Sequence, residues 1–160
     1  MDALLEIYVA AFALADPYEL DAVRQASLLP GAKAALGSLR EMELRLGLFT
    51  TDGIKAAKYA LSKFGLSQFF DVVVTREDVQ KVKPDSSHLL AATRPLNVTP
   101  KEVVVVGDST IDIMCAKNVG ALAVGVKTGF SVSEDLKKVG ADYIIPSISE
   151  LPSLLRGLQS

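Results

Sequence analysis

Tryptophan is absent from this 160-residue chain, cysteine and histidine occur once each, and neither sign of charge dominates, with 17 Lys and Arg against 19 Asp and Glu. One cysteine cannot close a disulfide within the chain, and one Cys with one His cannot build a Cys/His zinc site. A single cysteine fits a reducing, cytoplasmic setting. The formal net charge of −2 supplies no basic face for nucleic acid and no acidic interaction tail. Long apolar runs are missing as well. The stretch from Ile7 to Ala15 is too short to span a bilayer, and Asp2 and Glu6 stand where a signal peptide would carry basic residues. No membrane or nucleic-acid partner is expected.

Hydrophobic residues make up 49% of the chain, enough for one domain with a sizeable core. Short, β-branched, wholly apolar runs recur at residues 44–50, 71–75, 102–107, 121–126 and 142–146. Strands covered on both faces read this way. Helical patterns separate them. Ile54, Ala57, Leu61 and Phe64 share a face that Gly65 closes, a segment after Pro84 and Asp85 runs to Pro95, and Ile111, Cys115 and Val119 share a face closed by Gly120. Ser131 with Glu134, and Ser147 with Glu150, read as capping boxes for the last two helices. Alternating strands and helices predict an α/β fold with a parallel sheet. Ahead of the first strand the pattern is helical at residues 3–15, 17–26 and 32–39, with a turn at residues 28–31.

Polar residues gather where three of these strands end. Thr50, Thr51 and Asp52 follow the first, Lys83 follows the second after a short loop, and Asp108, Ser109 and Asp112 follow the third. Ligands of open parallel sheets bind beyond the carboxyl ends of the strands. Two carboxylates a helical turn apart are hard oxygen ligands suited to Mg²⁺. A threonine hydroxyl with backbone N–H groups at a helix start can hold phosphate, and a lysine beside them supplies positive charge. Together these residues describe metal-assisted phosphoryl transfer. The plain alternatives are strand-end and capping roles for the threonines and aspartates, and a solvated loop lysine at 83. His88 and Cys115 read as structural core residues, Asp78 and Asp85 as surface or cap residues.

FTTDG, KVKPD and GDSTIDI resemble the second, third and fourth motifs of the haloacid dehalogenase-like hydrolases, most closely the phosphoglycolate-phosphatase-like members. The resemblance covers roughly residues 28–158. It implies a HAD-like Rossmannoid sheet flanked by helices and a Mg²⁺-dependent phosphatase of a small phosphorylated metabolite. By the same resemblance Thr50 binds the transferring phosphate with help from the Thr51 amide, Lys83 stabilises phosphate and nucleophile, Asp108 ligates Mg²⁺, and Asp112 ligates it or holds its waters. A receiver-like signalling domain lacks this order of motifs; a dehalogenase is an alternative within the superfamily, over which the Mg²⁺-type acids of the fourth motif favour a phosphatase.

The family's first motif, an apolar strand ending in D-x-D that carries the aspartate nucleophile, has no counterpart here. Asp2, Asp16 and Asp21 are the aspartates before Thr50, and none has a second aspartate two residues on. The resemblance implies that the central strand, between the threonine strand and the GDS strand, is missing, and that residues 1–27 are the end of a helical cap ahead of a core at residues 28–160. Each buried backbone group left unpaired beside such a gap costs roughly 1–3 kcal/mol. Three resolutions are open: a shortened enzyme with little or no turnover, direct pairing of the two flanking strands in an inactive relative, or a slot filled by the N-terminal segment or a second chain. A non-catalytic binding domain is the competing function, and self-association through an open seam is a further expectation.

Overall fold

The computed structural model describes residues 19–129 and 131–160. The helix expected over residues 3–15 lies outside them. Helix α1 (Glu19–Gln25) leads through a turn into α2 (Ala32–Glu41), whose Ala32, Ala35, Leu36 and Leu39 are buried. Five strands follow in the predicted order and close to the predicted places: β1 (Gly47–Phe49), β2 (Val72–Val74), β3 (Val104–Gly107), β4 (Leu122–Val126) and β5 (Tyr143–Ile145). Between them stand α3 (Ile54–Phe64), α4 (Ser86–Thr93), α5 (Thr110–Lys117) and α6 (Ser133–Lys138), and α7 (Leu151–Gln159) closes the chain. Every residue of β1 and β3 is buried, which explains why both read as unbroken apolar runs.

All described pairings are parallel, and they form two sheets instead of one. β1 pairs with β2, in register Leu48 to Val73, and β3, β4 and β5 form a separate three-stranded sheet. β1 and β3 do not pair with each other, so direct pairing of the flanking strands is ruled out among the described residues. The edge of β1 away from β2 and the edge of β3 away from β4 have no strand partner there. A cavity of about 190 Å³ is lined by both, through Leu48 and Thr50 on one side and Val106 and Gly107 on the other. Leu61 and Phe64 of α3 and the turn at Leu28 and Leu29 line it as well. It is an apolar hollow where, among the described residues, two sheet edges have no strand between them.

Local chemistry fixes the surrounding helices. Gly65 closes α3 in the left-handed conformation, φ +65°, where an L side chain would be strained. Lys63 donates from Nζ to the carbonyls of Val23, Arg24 and Ala26 at 2.7–2.9 Å. This satisfies the end of α1 and ties it to α3. Two cap expectations need correction. Val132, not Ser131, caps α6 and contributes no side-chain bond, because the Ser131 hydroxyl accepts from the Thr110 N–H at 3.3 Å across the fold. Ser147 accepts from the Ser149 N–H and so caps a short 3₁₀ turn at Ile148–Glu150 ahead of α7. Among the described residues no helix is long and apolar enough to cross a membrane.

Candidate active site

The predicted residues come to the carboxyl ends of β1 and β3 in two adjoining groups. Thr50 and Asp108 line the cavity between the sheets. Lys83 and Asp112 form the other group, joined by a bond of 2.7 Å between Nζ and Oδ1 with both side chains fully buried. Lys83 Nζ also donates to the Phe49 carbonyl at 3.5 Å and stands 4.9 Å above the centroid of the Phe49 ring. One ammonium therefore links the end of β1 to the start of α5. A solvated loop lysine is excluded for position 83.

Asp112 takes the capping role weighed from the sequence and adds an ion pair that was not. Ser109 is the N-cap of α5, and Asp112 Oδ2 accepts from its N–H at 3.1 Å and its hydroxyl at 2.9 Å, a complete capping box. The other oxygen, Oδ1, receives Lys83. With both oxygens engaged, Asp112 is placed to hold the lysine. Asp108 is half-buried, and its carbonyl accepts from the Ser131 N–H at 3.0 Å.

Two glycines make room for these carboxylates. A Cβ on Gly107 would lie 2.4 Å from the Asp112 Cβ, and one on Gly129 would lie 2.0 Å from the Asp108 Cβ. Neither distance is sterically possible. Gly107 opens the GDS motif in the sequence. Gly129 stands in the turn after β4, twenty-one residues beyond Asp108, where nothing in the sequence links the two.

Thr50 is buried, and its hydroxyl donates to Asp52 Oδ2 at 3.0 Å while accepting from the Asp52 N–H at 3.1 Å. Asp52, also buried, is thus the residue that orients the threonine, a part the sequence left unassigned. Thr51 is half-buried, and its carbonyl accepts from Arg76 at 3.4 Å. His88 is fully buried, and its Nδ1 accepts from the Lys83 backbone N–H at 3.2 Å. Burial first, then the nearby Lys83 charge, pushes its pKa down to about 4. Cys115 is buried as expected; burial raises its thiol to about 11, and it donates to the Asp85 carbonyl at 3.3 Å. Asp85 caps α4 through the Ser87 N–H, and Asp78 closes a capping box with Thr75.

Carboxylate oxygens at a strand end have the right chemistry for Mg²⁺. The described residues do not complete a site for it, since no group of three or more His, Cys, Asp or Glu side chains among them could share an ion. Asp108 offers hard oxygens beside the cavity, whereas those of Asp112 are committed to Lys83 and Ser109. The arrangement supplies buried positive charge, hydroxyl and carboxylate groups at one end of a divided sheet.

Comparison with known proteins gives the family. The family model described as haloacid dehalogenase-like hydrolase matches residues 10–126. The chain belongs to that family. It is 33% identical over 132 residues to a plasmid-borne phosphoglycolate phosphatase of Cupriavidus necator, a match covering 82% of this chain and 57% of that protein. It is 30% identical over 138 residues to pyrophosphatase PpaX of Halalkalibacterium halodurans, covering 86% and 59%. The chain thus spans less than two thirds of the length of these relatives. Among solved structures, a HAD phosphatase from Thermococcus onnurineus matches with TM-score 0.75 at 34% identity, over 91% of this chain and 67% of the other. A hydrolase from Pseudomonas syringae matches with TM-score 0.80 at 29% identity, over 88% and 64%. The α/β family fold, with parallel strands flanked by helices, is shared with these structures.

Proposed function

We propose that this chain carries the phosphate-binding part of a Mg²⁺-dependent HAD phosphatase acting on a small phosphorylated metabolite, and that alone it has little or no turnover. The buried ion pair between Lys83 and Asp112, reaching the end of β1, carries this reading. Such an ammonium is worth far more to a phosphate in a low-dielectric site than in water. The Thr50 hydroxyl would turn from Asp52 to the phosphate, with the Thr51 amide beside it. Asp112 would keep the ammonium aimed, and Asp108 would offer oxygens to Mg²⁺, whose role is to neutralise phosphate charge. The ion would need further oxygen ligands from outside the described residues.

Among the described residues the edges of β1 and β3 flank a cavity and do not pair, which supports a strand-sized slot over a shrunken sheet. A nucleophile-bearing strand ending in D-x-D would fit between the two edges. A non-catalytic binding domain is the second reading, supported by the lack, among the described residues, of three or more acidic, His or Cys side chains that could share an ion. Assay of the pure chain on a generic aryl phosphate, with and without Mg²⁺, tests the proposal, together with titration by inorganic phosphate. Expected are negligible turnover and saturable phosphate binding lost in Lys83→Met; robust Mg²⁺-dependent hydrolysis would refute the inactive reading. A coding region extended upstream to a D-x-D strand should gain turnover if the enzyme reading holds, and should not if the domain only binds. The seam would also promote self-association, which sedimentation measures; a strictly monomeric, stable chain counts against an open edge. A cytoplasmic, reducing location suits the lone thiol.

A further inference from the structure

We propose that His88 is a positioning residue that holds Lys83, by its backbone and through the ring of Phe49, where the ammonium meets phosphate; this rests on the reading of Lys83 as the phosphate-binding cation. Lys83 leaves no side-chain surface exposed, so its ammonium can go only where its backbone lets it. That backbone is held by the 3.2 Å bond from its N–H to His88 Nδ1. The same imidazole stands edge-on to the Phe49 ring, with centroids 5.4 Å apart and planes at 83°. Lys83 Nζ rests on that ring and reaches the carbonyl of the same residue. His88 therefore touches both ends of the lysine's placement, its main chain and the surface under its charge.

Packing alone does not account for a histidine here. Leucine would fill the place without an imidazole N–H to bury, and Leu89 beside it is equally buried. His88 Nε2 is buried with no hydrogen-bond partner among the described residues. What only the imidazole offers is an acceptor at Nδ1, which requires the neutral ring with its proton on Nε2. The low pKa keeps that form throughout the neutral range. Asp85 fixes the register by capping α4 through the Ser87 N–H at 2.9 Å, three residues before His88.

The test compares wild type, His88→Asn, which keeps an acceptor near Nδ1, and His88→Leu, which fills the volume without one. ¹⁵N-edited spectra of the wild type at neutral pH should show the Nε2–H tautomer. Lys83 amide exchange should accelerate roughly tenfold or more in His88→Leu, as expected for loss of one buried hydrogen bond, and stay protected in His88→Asn. The inorganic phosphate dissociation constant should rise roughly tenfold in the leucine variant and within about threefold in the asparagine variant. An Nδ1–H tautomer, or a leucine variant with wild-type Lys83 protection and phosphate affinity, would overturn the proposal. A wild-type chain that binds no phosphate defeats the functional reading instead, and the tautomer and exchange results then judge the positioning role alone.

Discussion

Replacing Lys83 by methionine removes a charge while keeping most of the stem, and leaves the Asp112 carboxylate buried without its cation. At 2.7 Å and an effective dielectric near 20, the lost attraction is about 6 kcal/mol before desolvation is counted. Desolvation of the ammonium offsets part of it, and breaking a buried pair by removing one partner costs about 3–5 kcal/mol in practice. That is a large share of a domain stability of about 5–15 kcal/mol. For a chain of this size it corresponds to a fall in melting temperature of roughly 6–20 °C. Asp112→Asn leaves an oxygen for the Ser109 N–H, so it isolates loss of the ion pair from loss of the cap. The double variant removes both charges and should recover much of the loss, giving a coupling of about 2 kcal/mol or more by urea and thermal unfolding. Single variants within about 1 kcal/mol of wild type, or strictly additive losses, would show that the pair does not hold the end of β1 to the start of α5, and the reasoning would fail.

Gly129→Ala should retain the fold but displace the Asp108 carboxylate, with a destabilisation of about 1–3 kcal/mol from overpacking, read from chemical-shift changes at Asp108 and from urea melts. His88, the one histidine in the chain, has its folded pKa depressed to about 4 from 6.5. Its contribution is therefore present above pH 6.5 and lost as pH falls toward 4, on the order of 3 kcal/mol in all; acid unfolding of His88→Leu should lack that part of the slope. Cys115, buried with a raised thiol pKa, should resist thiol reagents in the native state and react at the rate of unfolding; rapid native-state labelling would contradict its core placement.

The strands were legible because fully buried strands must be apolar throughout, as in Val104, Val105 and Val106. The site residues were legible because a carboxylate or lysine at the end of such a run is costly unless something answers its charge. What answers it was not legible. The sequence separates Lys83 from Asp112 by 29 residues, and only the fold shows that the lysine occupies the oxygen expected for a metal. His88 read as structural because no distant acid or serine could be matched to it; its partner is a backbone N–H, which every residue but proline carries and no sequence pattern marks. Gly129 was missed for a related reason, since space for a neighbour depends on tertiary approach, and Asp52 was named at the strand end without its bond to Thr50. The cap assigned to Ser131 failed because its hydroxyl serves Thr110 instead.

A crystal structure of the chain soaked with tungstate, a phosphate mimic visible at low occupancy, tests the central claim most directly. The oxyanion should lie at the carboxyl ends of β1 and β3, within hydrogen-bond reach of Lys83 Nζ and the Thr50 hydroxyl, and Lys83→Met should abolish it. An anion bound elsewhere, or bound equally well without the lysine, would contradict the account.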